Sequence, residues 1–206
     1  MIEARDDFFY PHAEASCSDL YLWPPLHAAI EGHKFTERRA FDLGCGNGST
    51  AGFLQNLGFK VLGVDISPSG IGVARKELPQ QHFEVASAYD DLAGRFGRFP
   101  LVISLEVVEH CFDPKKFAST FFNLIEDGGI GILSTPYHGY LKNLALALSG
   151  KWDSHHSVMW DGGHIKFFSI PTLRQLLAEA GFVDIEFIRA GRIPPLAKSM
   201  IAIVRR

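Results

Sequence analysis

The apolar positions divide the chain into short continuous runs and longer periodic stripes. Residues 60–65, 82–86, 101–105 and 130–134 are short, mostly apolar runs, as expected of strands covered on both faces. The stripes between them have a helical period. Thr50, Phe53, Leu54 and Leu57 fall at i, i+3, i+4 and i+7, and Gly58 closes them. Pro68 opens a second helix that runs to about residue 78. Asp113 and Pro114 form an N-cap followed by a proline at the first helical position. Phe117, Phe121, Leu124 and Ile125 give that helix its buried face, and Gly128-Gly129 are expected to stop it. Leu141, Leu144, Ala145 and Leu148 form another stripe, closed by Gly150. A last stripe, Leu173, Leu176, Leu177 and Ala180, has Pro171 in its first turn and Gly181 past its end.

Beyond Gly181 the period changes to two. Val183, Ile185 and Phe187 alternate with Asp184 and Glu186, which predicts a half-exposed strand. Residues 199–204 predict a final apolar strand. The short connection between these two strands makes them an antiparallel hairpin added to a parallel sheet. Strand and helix alternate strictly before the hairpin, so the class is α/β with right-handed crossovers. The 206 residues suit a single domain. Residues 1–39 lack a strong period. Phe8-Phe9-Tyr10-Pro11 and Tyr21-Leu22-Trp23-Pro24-Pro25 are aromatic and broken by proline, with a short helix expected over 26–30. This stretch reads as an N-terminal cap over the sheet edge. Residues 137–168 read as an inserted lid that holds Trp152, His155, His156, Trp160 and His164.

Composition removes several alternatives. Apolar residues make up 47% and charged residues 21%, ordinary values for a globular protein. A net charge of −3 gives no mark of a nucleic-acid partner. Cys17, Cys45 and Cys111 form no CxxC pair and no disulfide framework, which fits a reducing cytoplasm. No apolar run approaches the roughly 20 residues that span a bilayer. Residues 1–7 are too charged for a signal peptide.

The chemistry concentrates at Phe41-Asp42-Leu43-Gly44-Cys45-Gly46-Asn47-Gly48-Ser49. An apolar run ends in an acid, a glycine-dense turn follows, and a helix begins. Such a turn brings a ligand up to bare backbone at the carboxyl edge of a sheet. The spacing Gly44-x-Gly46-x-Gly48 lacks both the Gly-x-Gly-x-x-Gly of a dinucleotide site and the lysine of a phosphate loop. Asp42 would repel a pyrophosphate but suits a nearby ammonium group. Asp65, ending the next strand, can accept two hydrogen bonds from vicinal ribose hydroxyls. An unphosphorylated ribose with an ammonium group points to an adenosyl amino acid.

At these residues the chain resembles the class I S-adenosylmethionine-dependent methyltransferases. The resemblance extends through Val64-Asp65-Ile66-Ser67, Leu105-Glu106-Val107-Val108-Glu109-His110, Gly128-Gly129 and Phe167-Phe168-Ser169-x-x-Thr172-Leu173. It covers roughly residues 38 to 206 in order, and looks closest to the small-molecule branch that includes the ubiquinone-biosynthesis O-methyltransferases. It implies a Rossmann-like, doubly wound, seven-stranded sheet and S-adenosyl-L-methionine as cofactor. The cofactor-binding residues it implies include Asp42, Gly44, Cys45, Gly46, Asn47, Gly48, Asp65, Ile66 and Ser67. Ser87 and Ala88 stand where family members often place an acid for the adenine, with Asp90 or Asp91 as substitutes. The backbone of Leu105 would lie beside the sulfonium, and Glu106 is counted with the cofactor-binding residues. Tyr10 and Tyr21 are counted with the cofactor contacts, and together with Trp23 they border the acceptor pocket.

The expected acceptor is a small molecule, methylated on oxygen. Histidine is then the natural base, with His138, His164 and His110 the candidates and His155 and His156 nearby. Glu106, Glu109 and His110 would share one face of a helical turn and could form half of a divalent-metal site. The resemblance also allows pocket-shaping for this pattern, and no metal is favoured. The alternatives are N- or S-methylation, an RNA acceptor, a non-catalytic cofactor-binding protein on the same fold, and a nicotinamide-dependent dehydrogenase.

Overall fold

The computed structural model describes residues 8–12, 14–156, 159 and 162–206. Its strands are β1 (Arg39–Leu43), β2 (Lys60–Asp65), β3 (His82–Val85), β4 (Phe99–Leu105), β5 (Ile125–Pro136), β6 (Asp184–Ala190) and β7 (Ser199–Arg205). They form one seven-stranded sheet in the order β3-β2-β1-β4-β5-β7-β6. The pairs from β3 to β5 are parallel, and β7 pairs antiparallel with both β5 and β6. The order reverses between β1 and β4, which opens a crevice at the carboxyl ends of these strands.

Side chains alternate between the two faces of the sheet, as a period of two requires. Phe41, Leu43, Val102, Leu133 and Ala202 face one core, while Ala40, Leu101, Ile103, Ile132 and Ile201 face the other. Helices α5 (Pro114–Leu124) and α8 (Ile170–Ala180) cover the first face through Phe117, Phe121, Leu173 and Leu177. Helices α1 (Asp19–Glu31), α2 (Ser49–Asn56) and α3 (Pro68–Glu77) cover the second. The caps match the sequence signals. Asp113 accepts the Lys116 amide, Ser169 forms a capping box with Thr172, and Gly181 takes a left-handed conformation after α8.

Three expectations need correction. The helix expected over 26–30 is α1, thirteen residues long, with Pro24 and Pro25 inside it. Leu22, Leu26 and Ile30 recur at every fourth position and are fully buried. Each such burial contributes about 1.5–3 kcal/mol, against about 3 kcal/mol for a proline in a helix interior. The stripe therefore outweighs the breakers. The helix expected to stop at Gly128-Gly129 ends at Leu124, and β5 begins at Ile125. Gly128, at φ 82°, sits where its N–H donates to the Arg206 carbonyl, inside the strand's span. Finally, α7 (Trp152–His156) lies in a segment with no sequence period. It and α4 (Leu92–Phe96) have five residues each, too few to display one. The remaining helix, α6 (Tyr140–Leu148), buries no side chain.

Candidate active site

The carboxyl ends of β1, β2 and β4 border a cavity of about 940 Å³. Gly44, Asp65, Ile66, Ser87, Ala88 and Leu105 line one side, and His110, His156, His164 and Phe167 line another. Phe8, Phe9 and Tyr10 close it from the N-terminal segment.

The glycine turn works through left-handed backbone. Gly44 has φ 83°, and a Cβ there would come within 2.5 Å of Val107. At Gly46, φ 50°, an added Cβ would meet the Tyr10 hydroxyl at 2.9 Å and its ring at 3.0 Å. Both positions therefore require glycine. Gly48 instead packs on Ala74 and Phe83, away from the cavity. Asp65 accepts the Gly46 N–H on one oxygen and the Ser67 N–H on the other, both at 2.8 Å. A carboxylate oxygen can accept more than one bond, so both can still receive ribose hydroxyls. Ile66 presents an exposed apolar face to the cavity.

Asp42 lies under the turn, 2% exposed, and its Oδ2 has no hydrogen-bond partner. Burial pushes its carboxyl up to about 8, and the charges of Asp65 and Asp19 add to the rise. An ammonium group nearby would offset this uncompensated acid. The bare turn, the fixed Asp65, the open Ile66 and the orphaned Asp42 together fit S-adenosylmethionine.

Other expected contacts lie elsewhere. The Asn47 amide donates to the carbonyls of His12 and Glu14, at 2.9 and 3.0 Å, and so anchors the N-terminal segment. Cys45 is buried in the second core. Ser67 caps α3 and donates to the Phe8 carbonyl at 2.7 Å. Asp90 accepts the Ser87 N–H and Asp91 caps α4, so neither reaches the cavity wall. Tyr21 also stands off the wall, its hydroxyl 3.0 Å from the Ser199 hydroxyl. Trp23 stacks on Phe53, with centroids 5.0 Å apart. Trp160 lies outside the described residues.

Glu106 is the only non-glycine at positive φ among the described residues, at 56°. Its carboxylate accepts from Ser134 at 2.7 Å and from Ser199 at 3.2 Å. Burial raises it to about 7 despite these bonds. No sequence signal marked Ser134 and Ser199, because β5 and β7 bring them together across the sheet. The left-handed residue also breaks the expected helical turn, and only Val108–His110 form one, of the 3-10 type. The expected trio of Glu106, Glu109 and His110 therefore does not converge. Among the described residues, the groups whose ligand atoms lie within 4.8 Å of one another are Glu109, His110 and His164. Glu109 is fully buried, and burial, with the Glu106 charge adding to it, holds its carboxyl well above the usual range despite a hydrogen bond from Thr135.

The His110 ring makes a 2.8 Å bond through Nδ1 to the Gly162 carbonyl. Nδ1 therefore carries the proton, and Nε2 is the basic atom. Its ring meets that of His164 edge to face, at 4.9 Å. Burial lowers both imidazoles, His164 to about 4. His138 is pushed to about 4 by burial and by Lys142. It packs on Phe167 and His156, which carry the cavity wall there, and does not line the cavity itself.

A mostly parallel sheet with this strand order, an antiparallel closing hairpin and a glycine-turn crevice at the carboxyl edge is the Rossmann-like methyltransferase fold. The family profile described as "Methyltransferase domain" matches residues 18–186, and the chain belongs to that family. It is 38% identical over 120 residues to a ubiquinone biosynthesis O-methyltransferase from Caulobacter sp. (strain K31), covering 56% of this chain and 47% of that protein. A protein of the same name from Cereibacter sphaeroides is 30% identical over 160 residues, 74% of this chain and 63% of that one. The chain thus spans half to three-fifths of the curated relatives it matches. In fold it resembles the magnesium protoporphyrin IX methyltransferase of Synechocystis PCC 6803 with bound SAH. There the TM-score is 0.68 at 20% identity, over 89% of this chain and 81% of that one.

Proposed function

We propose that this domain transfers a methyl group from S-adenosylmethionine to an oxygen of a small-molecule acceptor. One observation carries the reading. The adenosyl-type wall of Gly44, Asp65 and Ile66 shares a single cavity with the imidazoles of His110 and His164. The names of the relatives support the same choice of acceptor. When bound, the cofactor supplies an electrophilic methyl on a sulfonium, and the protein aligns and deprotonates the acceptor. Asp65 and the bare turn hold the adenosyl and amino-acid ends, with Asp42 countering the ammonium. His110 Nε2 takes the acceptor proton, and His164 orients the acceptor beside it. Two features support His110 over His138 as the base: it lines the cavity, and its tautomer is fixed. The net charge of −3 supports a small molecule over RNA. Three unpaired cysteines support a cytoplasmic setting.

The test compares single alanine variants on a phenolic acceptor. H110A is expected to lower turnover about 10²–10⁴-fold and H164A by less, with S-adenosylhomocysteine affinity unchanged in both. Full turnover in both variants would refute the assignment.

A second reading has its own observation. The buried Glu109 and the imidazoles of His110 and His164, their ligand atoms within 4.8 Å of one another, form a donor set suited to a divalent cation. The metal content of the purified protein, before and after the H164A change, distinguishes this reading from a metal-free pocket.

A further inference from the structure

The Tyr10 side chain occupies a seat built from two glycines that lie far apart in sequence. A Cβ at Gly46, in the glycine turn, would come within 2.9 Å of the Tyr10 hydroxyl. A Cβ at Gly70, in the first turn of α3, would come within 2.9 Å of the ring. The left-handed turn already demands glycine at position 46. At position 70 the backbone makes no such demand, since Gly70 lacks a positive φ, and glycine is a poor helix former. Its missing side chain leaves room for the Tyr10 ring and for the Gly46 carbonyl, which a Cβ would meet at 2.8 Å.

The backbone beside Tyr10 is tied down as well. The Phe8 carbonyl accepts from the Ser67 hydroxyl at 2.7 Å, and the Tyr10 N–H donates to the Ser69 hydroxyl at 3.1 Å. Asn47 holds the His12 carbonyl beyond it. Asp65 steadies both sides of the seat. Its two oxygens accept the N–H groups of Gly46, under Tyr10, and of Ser67, beside Phe8. These are the oxygens that would receive the ribose hydroxyls, so a bound ribose steadies the seat through Asp65.

From this seat the segment spans the cavity. Phe8 meets the His110 ring edge to face, with centroids 5.3 Å apart, and Phe8, Phe9 and Tyr10 all line the wall. Residues 8–12 therefore bridge the adenosyl-type wall and the imidazole wall. A cofactor placed against Gly44 and Asp65 would lie under this bridge.

We propose that Tyr10 is a positioning residue: seated between Gly46 and Gly70, it holds residues 8–12 closed over the bound cofactor and sets Phe8 against His110. The cofactor enters before closure, and closure completes the acceptor wall. The contact with His110 rests on the role proposed for that residue above, whereas closure over the cofactor does not.

Stopped-flow measurement of S-adenosylhomocysteine binding tests the closure without any acceptor. Tyr10→Ala should raise both the association and the dissociation rate, dissociation by roughly tenfold, the equivalent of one or two net hydrogen bonds. Tyr10→Phe keeps the ring and should stay near the wild-type rates. Loss of an ordinary cofactor contact would change dissociation alone. S-adenosylhomocysteine should also protect Phe8 and Phe9 of the wild type from chymotrypsin, and Tyr10→Ala should remove that protection. With the phenolic acceptor, Phe8→Ala should raise the acceptor KM more than it lowers kcat. Circular dichroism verifies that the variants stay folded. An unchanged association rate in Tyr10→Ala would overturn the closure. So would a Tyr10→Phe variant as fast as Tyr10→Ala, or wild-type cleavage that S-adenosylhomocysteine does not slow. A normal acceptor KM in Phe8→Ala would overturn the acceptor-side half. The binding rates are read without acceptor, so their failure and a failure of the proposed acceptor are separate results.

Discussion

The carboxylate of Asp65 accepts the backbone N–H of Gly46 at 2.8 Å, linking the end of β2 to the middle of the glycine turn. The group read from the sequence as the ribose acceptor thus also fixes the turn on which the rest of the cofactor rests. Asp65→Ala should weaken S-adenosylhomocysteine binding by about 10–100-fold, the range for losing hydrogen bonds to a charged group. Asp65→Asn should retain part of the affinity. Isothermal titration measures both, and equal losses in the two variants would mean that only the charge matters.

Gly44→Ala combines a left-handed φ with a collision at Val107. A non-glycine residue at such a φ costs about 1–2 kcal/mol, and the side-chain overlap adds to it. Lower thermal stability is expected. Trimming the obstacle in the double variant Gly44→Ala, Val107→Ala should restore only the part due to overlap.

Asp42 sets a pH dependence. Its folded-state value of about 8 lies above its ordinary 3.8, so the folded protein holds this proton more tightly than the unfolded chain. The contribution to stability is complete below pH 3.8 and is lost as pH rises through about 8. Between these limits Asp42→Asn should flatten the fall in melting temperature of the cofactor-free protein. Parallel melting curves across that window would show that Asp42 is ionised in the fold.

Asn47 anchors the N-terminal segment through His12 and Glu14. Asn47→Ala removes these two hydrogen bonds and a third that its Oδ1 accepts from the Ser49 N–H at 3.2 Å, each worth about 0.5–1.5 kcal/mol net. Faster limited proteolysis within residues 8–19 is expected, along with a raised KM for the cofactor, because Tyr10 lies over Gly46. A wild-type digestion rate would show that other contacts hold the segment.

Leu26→Ala should cost about 2–5 kcal/mol, because Leu26 is fully buried in the core beneath α1. Chemical denaturation measures this. A loss under 1 kcal/mol would mean that α1 is a loosely attached surface element.

What the sequence determined by itself is what depends on local periodicity and local chemistry. The runs at 60–65 and 101–105 and the stripe of Phe117, Phe121 and Leu124 identify their strands and helix, because a covered strand and an amphipathic helix differ in period. The glycine spacing with Asp42 and Asp65 narrowed the ligand to an adenosyl amino acid, because a turn and two strand ends are local objects. Tertiary structure decided the rest, because contacts between distant segments leave no periodic trace. Packing against the sheet carried α1 through Pro24 and Pro25. A left-handed Glu106, held by Ser134 and Ser199 from β5 and β7, turned one carboxylate away and left His164 beside Glu109 and His110. Asn47, within the most legible stretch of the chain, anchors a loop 35 residues away instead of facing the cavity. Side-chain direction in such a turn follows from what packs against it, and that is fixed only when the whole chain has folded.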